Sequence, residues 1–130
     1  MIVSVTRLQL RSLRFLLPFA WHARRSRRQA EVAEGCLQVS VRKTAGLAFW
    51  TLTTWRDEAS LRRYMRAAPH REAMPKLAHW CDEAAVAHWE QDAANGSDWA
   101  EAARRLAEGG RLLEVAHPSE LQRQRQICIR

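Results

Sequence analysis

The chain has 130 residues, 47% of them apolar and 27% charged, with a net charge of +7. That length suits one domain, the composition is globular rather than disordered, and no apolar run approaches the ~18–20 residues of a membrane span. The charge excess is N-terminal: residues 1–30 hold seven arginines and no acid, while residues 31–130 balance, which is not the footprint of a specific nucleic-acid binder.

Residues 2–10, IVSVTRLQL, are rich in β-branched side chains and predict a strand. The seven-residue apolar run Phe15–Trp21 contains Pro18 and leads into Arg24-Arg25-Ser26-Arg27-Arg28. It is too short for a secretory signal, so a cytoplasmic location is expected. Pro18 suits a first helical turn. From there to Ala33, Phe19, Ala23, Ser26, Ala30 and Ala33 recur at helical spacing, predicting a helix packed closely on a sheet. Gly35 closes it. Cys36–Lys43 alternates, Thr44-Ala45-Gly46 turns, and Leu47–Trp55 alternates with bulky groups on both faces, which reads as a hairpin.

Asp57 caps the next helix, whose buried stripe is Leu61, Tyr64, Met65 and Ala68. Pro69 interrupts it, and a second segment runs from His70 to Cys81 with Pro75 as a kink point. Ala85–Gln91 returns to alternation as a fourth strand. Ala94-Asn95-Gly96-Ser97 reads as a linker, Asp98 caps a short helix to Glu108, and residues 111–130 are weakly patterned, with the last ten expected to be mobile or docked on a partner. The division is therefore 1–93 as the folded domain and 94–130 as a helical extension.

The order β-α-β-β-α-β is the split βαβ, ferredoxin-like arrangement: an α+β fold with a four-stranded antiparallel sheet and helices on one face. Its other face carries apolar side chains that a second copy would cover, so a homodimer is expected. Cys36, Cys81 and Cys128 are odd in number and without paired spacing, which excludes a disulfide scaffold. His79, Cys81 and His88 diverge too much to form a metal site. Glycine-rich phosphate loops, nucleophile elbows and dinucleotide fingerprints are absent.

The segments VTRLQL, LAFWTLTTWRDEASLRRYMR and PHREAMPKLAHWCDEAAVAHWE resemble the dimeric α/β-barrel superfamily, which includes antibiotic-biosynthesis and haem-degrading monooxygenases. Within it they look most similar to spheroidene-monooxygenase-like bacterial proteins. The resemblance covers residues 2–91 and implies a ligand site between sheet and helices. Haem degraders have Asn, Trp and His where this chain has Thr6, Tyr64 and Met74, so their chemistry does not carry over. His70 is then the position implied for haem ligation, since neutral imidazole is the usual proximal donor.

Each candidate also has a structural alternative. His70 is a capping histidine or a ligand and acid–base group. Tyr64 is a packing residue or a proton donor. Trp50 is core or the wall of a planar-ligand pocket. Thr6 and Met74 are pocket lining or core. Two functions follow: a monooxygenase-like enzyme acting on a hydrophobic or aromatic small molecule, with haem as a possible cofactor, or a non-catalytic dimeric small-molecule-binding or interaction protein on the same fold.

Overall fold

The β-branched run at the N-terminus becomes the central strand of the sheet. The computed structural model describes residues 1–92 and 98–130. In it β1 (Ile2–Leu10) pairs antiparallel with both β3 (Ala48–Trp55) and β4 (Cys81–Glu90). β2 (Cys36–Lys43) flanks β3, and a short β5 (Arg111–Leu112) flanks β4, giving the order β2-β3-β1-β4-β5. Three helices join the strands: α1 (Leu16–Val32), α2 (Glu58–Arg66) and α3 (His70–Trp80). Beyond the ferredoxin-like unit lie α4 (Trp99–Gly109) and the single turn α5 (Glu120–Arg123). The linker read at 94–97, and with it the domain boundary, falls outside the described residues.

Local chemistry sets the boundaries. Asp57 accepts a hydrogen bond from the Ser60 amide at 2.8 Å and starts α2, and Asp98 does the same for Glu101 at 2.7 Å and starts α4. After α1 the chain reverses at Gly35, with φ of +87°. A Cβ there would collide with the Ser60 side chain, so only glycine allows α1 to sit this close to α2. α3 runs through Pro75 to Trp80.

β4 begins at Cys81, four residues earlier than the alternation suggests. Asp82 and Glu83 look like loop residues in sequence. In the sheet each has a partner on β1: Gln9 donates to Asp82 at 3.0 Å, and Arg7 pairs with Glu83 at 2.9 Å. A charge satisfied across the ladder costs a strand far less than an unpaired one.

The period of two divides the sheet into two faces. Ser4, Thr6 and Leu8 of β1 look toward α1 and α3; Val3, Val5 and Arg7 look the other way. The second face, built from Val3, Val5, Trp50, Leu52, Ala85, Ala87 and Trp89, is the one expected to need a second copy. Residues 98–130 cover it instead. Ala102 and Leu106 of α4 are fully buried against it, with Trp99 and Ile127 beside them. Each large apolar side chain buried this way contributes about 1.5–3 kcal/mol. The last residues therefore dock on their own sheet rather than on a partner: Arg7 donates to the Arg130 main-chain oxygen at 3.3 Å, and Gln122 holds the main chain of Ala84 and Leu113. A homodimer made through this face is incompatible with that placement. Among the described residues no helix is long and apolar enough to cross a membrane.

Candidate functional site

The first face encloses a cavity of about 260 Å³ between the sheet and the helices. It exists because small side chains oppose one another. Ala23, Ser26 and Ala30 of α1 and Ala73 and Ala78 of α3 look down on Ser4, Thr6, Thr51 and Thr53 of the sheet. The α1 stripe was expected to pack closely on the sheet; with small groups on both sides nothing fills the gap.

The floor is polar. Thr6 lies opposite Thr51, and Ser4 opposite Thr53, in the β1–β3 register, so four hydroxyls form a square at the sheet centre. The Thr53 hydroxyl accepts from Trp55 Nε1 at 2.9 Å. The walls are apolar and aromatic: Phe19 from α1, Leu77 and Met74 from α3, Val39 and Val41 from β2. Residues 111–115 close the fourth side with Arg111, Leu113, Glu114 and Val115.

At one end Tyr64 and His70 stand together, ring centroids 4.8 Å apart, with the Trp55 ring tilted against Tyr64 at 5.1 Å. Asp57-capped α2 delivers Tyr64, and Gln29 of α1 fixes the start of α3 by accepting from the His70 amide at 2.8 Å. The Tyr64 hydroxyl donates to the Ser26 carbonyl at 3.2 Å, and burial pushes its pKa up to about 12. His70 Nδ1 lies 3.4 Å from the Met65 carbonyl, an arrangement that suits a proton on Nδ1 and a free lone pair on Nε2. Burial lowers the His70 pKa, against the opposing pull of that carbonyl, so the ring favours the neutral form.

Of the residues singled out in the sequence, Thr6, Tyr64, His70 and Met74 line this cavity. Trp50 does not. It points to the opposite face, 1% exposed beneath α4, its Nε1 donating to Thr44 Oγ1 at 2.9 Å and its ring edge-on to Trp99. The bulky alternation of β3 gives no clue to which face carries the cavity.

His22 is a lining residue that sequence reading passed over. It is buried, its Nε2 lies 3.4 Å from Lys76 Nζ, and its Nδ1 has no hydrogen-bond partner among the described residues. Burial, reinforced by the positive charge of Lys76, lowers its pKa. Its signal was available: His22 is three residues from Phe19 and four from Ser26, on the same stripe. Arg111, Leu113 and Val115 were likewise legible as alternation after Gly109-Gly110.

His22 and His70 both titrate below the ordinary 6.5 of histidine in the folded protein. Between those lowered values and 6.5 the unfolded chain binds more protons than the folded one, so stability falls as pH drops through this window and levels off below it. Urea midpoints measured from about pH 8 to pH 5 are expected to decline on the acid side, and the decline should flatten in the His22→Gln, His70→Gln double variant. An unchanged slope in that variant would assign the acid sensitivity elsewhere.

His70 has the chemistry of a haem ligand, a neutral imidazole anchored through Nδ1 on a carbonyl. The space does not fit. A tetrapyrrole with two propionates needs more than this cavity of about 260 Å³. Among the described residues no three His, Cys, Asp or Glu side chains gather as a metal site.

No family model matches the chain, and no curated protein matches it. Solved structures do. A conserved protein from Methanosarcina mazei Go1 superposes with a TM-score of 0.63 at 21% identity, covering 70% of this chain and 92% of its own. A candidate antibiotic biosynthesis monooxygenase from Deinococcus radiodurans gives 0.66 at 15% identity, covering 75% and 99%. SnoaB, a cofactor-independent oxygenase from Streptomyces nogalater, gives 0.59 at 11% identity, covering 70% and 92%. The fold is thus that of the antibiotic biosynthesis monooxygenases, as the sequence resemblance implies. A quarter or more of this chain has no counterpart in these neighbours.

Proposed function

We propose that the protein binds a planar, hydroxylated aromatic molecule in this cavity and oxygenates it without a cofactor. The observation that carries the reading is the hydroxyl floor of Ser4, Thr6, Thr51 and Thr53 beneath apolar walls, with neutral His70 and Tyr64 at one end. Flat rings fill the gap between sheet and helices, and ring oxygens satisfy hydroxyls that an apolar ligand would leave unpaired. A neighbour on the same fold, SnoaB, is described as a cofactor-independent oxygenase, and the cavity volume disfavours haem.

An anthrone-type methylene illustrates the balance. His70 Nε2 takes one C–H proton, leaving an electron-rich carbanion that reduces O2 and forms a C–O bond. The second C–H proton leaves as the O–O bond breaks, giving a ring carbonyl and water. The substrate supplies all four electrons, so one O2 is consumed per quinone and no outside reductant is needed. Tyr64, held neutral far above physiological pH, turns its one O–H from the Ser26 carbonyl to donate to the oxygen that becomes water.

Oxygen uptake on anthrone, without added flavin, metal or haem, tests this. One O2 per quinone is expected, slowed about 100-fold or more in Tyr64→Phe and in His70→Ala. A ligand that binds tightly with no uptake in the unaltered protein would leave the binding-protein reading in its place. A Soret band in the purified protein, lost in His70→Ala, would reinstate haem.

Residues 98–130 already cover the sheet face that a second copy would use, so we infer that a single chain is the working unit. Sedimentation is expected to find a particle of 15.0 kDa that keeps its uptake on dilution. A particle of twice that mass whose activity falls away on dilution would restore the homodimer, on a surface other than the sheet face already covered.

A further inference from the structure

The outer face of α1 is unlike the rest of the surface. Leu17, Trp21, Arg24 and Arg28 follow one another at spacings of four, three and four, so they share one line along the helix. Leu17 is 83% exposed and Trp21 57%, and Leu13, 71% exposed, extends the row from the preceding turn. Arg14 and Arg25 flank it, with the Arg25 guanidinium 4.6 Å above the Trp21 ring. Arg24 and Arg28 form no ion pair among the described residues. The first thirty residues contain no acid to offset these charges.

We propose that this face docks the protein on an anionic membrane surface, with α1 lying in the interface plane. Leu13, Leu17 and Trp21 would enter the boundary between headgroups and acyl chains, and Arg14, Arg24, Arg25 and Arg28 would meet lipid phosphates. An exposed row of two leucines and a tryptophan bordered by arginines is the composition of an interfacial helix. A nucleic acid would meet the arginines and leave the leucines in water, so the apolar half of the face favours lipid. The opposite side of α1 places Phe19, His22 and Ser26 on the cavity. A protein seated in this way would hold its ligand cavity one helix diameter from the lipid. The proposal does not depend on the oxygenation chemistry.

Co-sedimentation of the full chain with vesicles tests it. Binding is expected to vesicles of mixed phosphatidylcholine and phosphatidylglycerol and to be absent with phosphatidylcholine alone. Arg24→Gln and Arg28→Gln should each weaken it about fivefold, and Leu17→Glu at least as much. All three positions are exposed, so folding is unaffected. Trp21 emission, isolated as the difference between the protein and Trp21→Phe, should shift to the blue on binding. No vesicle binding would overturn the proposal. So would binding that Leu17→Glu leaves unchanged, or equal binding to single-stranded RNA, since either marks a simple electrostatic patch.

Discussion

Replacing Thr6 with Phe should abolish ligand binding and leave the fold standing. Thr6 is the middle of β1, level with Thr51 on one side and Val86 on the other, and its side chain forms part of the cavity floor. A benzyl group there occupies the volume that flat rings would use. Absorbance titration with a dihydroxyanthraquinone is expected to show affinity lowered by at least ~100-fold, about 2.7 kcal/mol of binding energy. Overpacking a filled core costs about 1–3 kcal/mol, but here the new side chain enters empty space, so stability should hold within about 1 kcal/mol. Binding that survives intact would place the ligand outside the cavity.

The largest stability loss is expected from Glu83→Ala. Arg7 and Glu83 form an ion pair at 2.9 Å, with their side chains only 3% and 10% exposed beneath the extension. Ser119 donates to the second Glu83 oxygen at 2.7 Å, tying residues 98–130 to the pair. Removing the carboxylate leaves the buried guanidinium with the Arg130 main-chain oxygen and Gln9 as its hydrogen-bond partners among the described residues. Losing one partner of a buried pair costs about 3–5 kcal/mol. Replacing both, as Arg7→Met with Glu83→Leu, removes the uncompensated charge and should recover most of that loss. Urea unfolding reads both results. A change under about 1 kcal/mol in Glu83→Ala would mean that water reaches the pair and that the extension does not seal this face.

How much of this was legible depends on which chemistry each residue uses. The β2–β3 hairpin was legible because Cys36–Lys43 alternates up to a turn at Gly46, and the caps at Asp57 and Asp98 because a carboxylate before a helix has one main job. Thr6, Tyr64, His70 and Met74 reach the cavity because the ferredoxin-like order places β1, α2 and α3 around it. The sequence leaves Trp50 open between core and pocket wall because β3 is bulky on both faces, and a period of two then separates the faces without saying which holds the ligand. The cover of the second face was hidden for a different reason. Gln122, which anchors it, is a polar residue satisfied by main-chain groups of Ala84 and Leu113, and no hydropathy pattern marks such a contact. Leu106 and Ala102 do form an apolar stripe on α4, but the sequence does not say which surface receives it. The early start of β4 was masked by Asp82 and Glu83, whose partners are distant in the chain.

The most direct test of the ligand site is a crystal structure of the protein with a dihydroxyanthraquinone bound. The rings are expected between the Thr6–Thr51 floor and α1, with a ring oxygen within about 3.2 Å of one of those hydroxyls and the edge of the molecule toward His70. A ligand lodged on the outer surface, or an empty cavity in crystals grown at saturating ligand, would contradict the account.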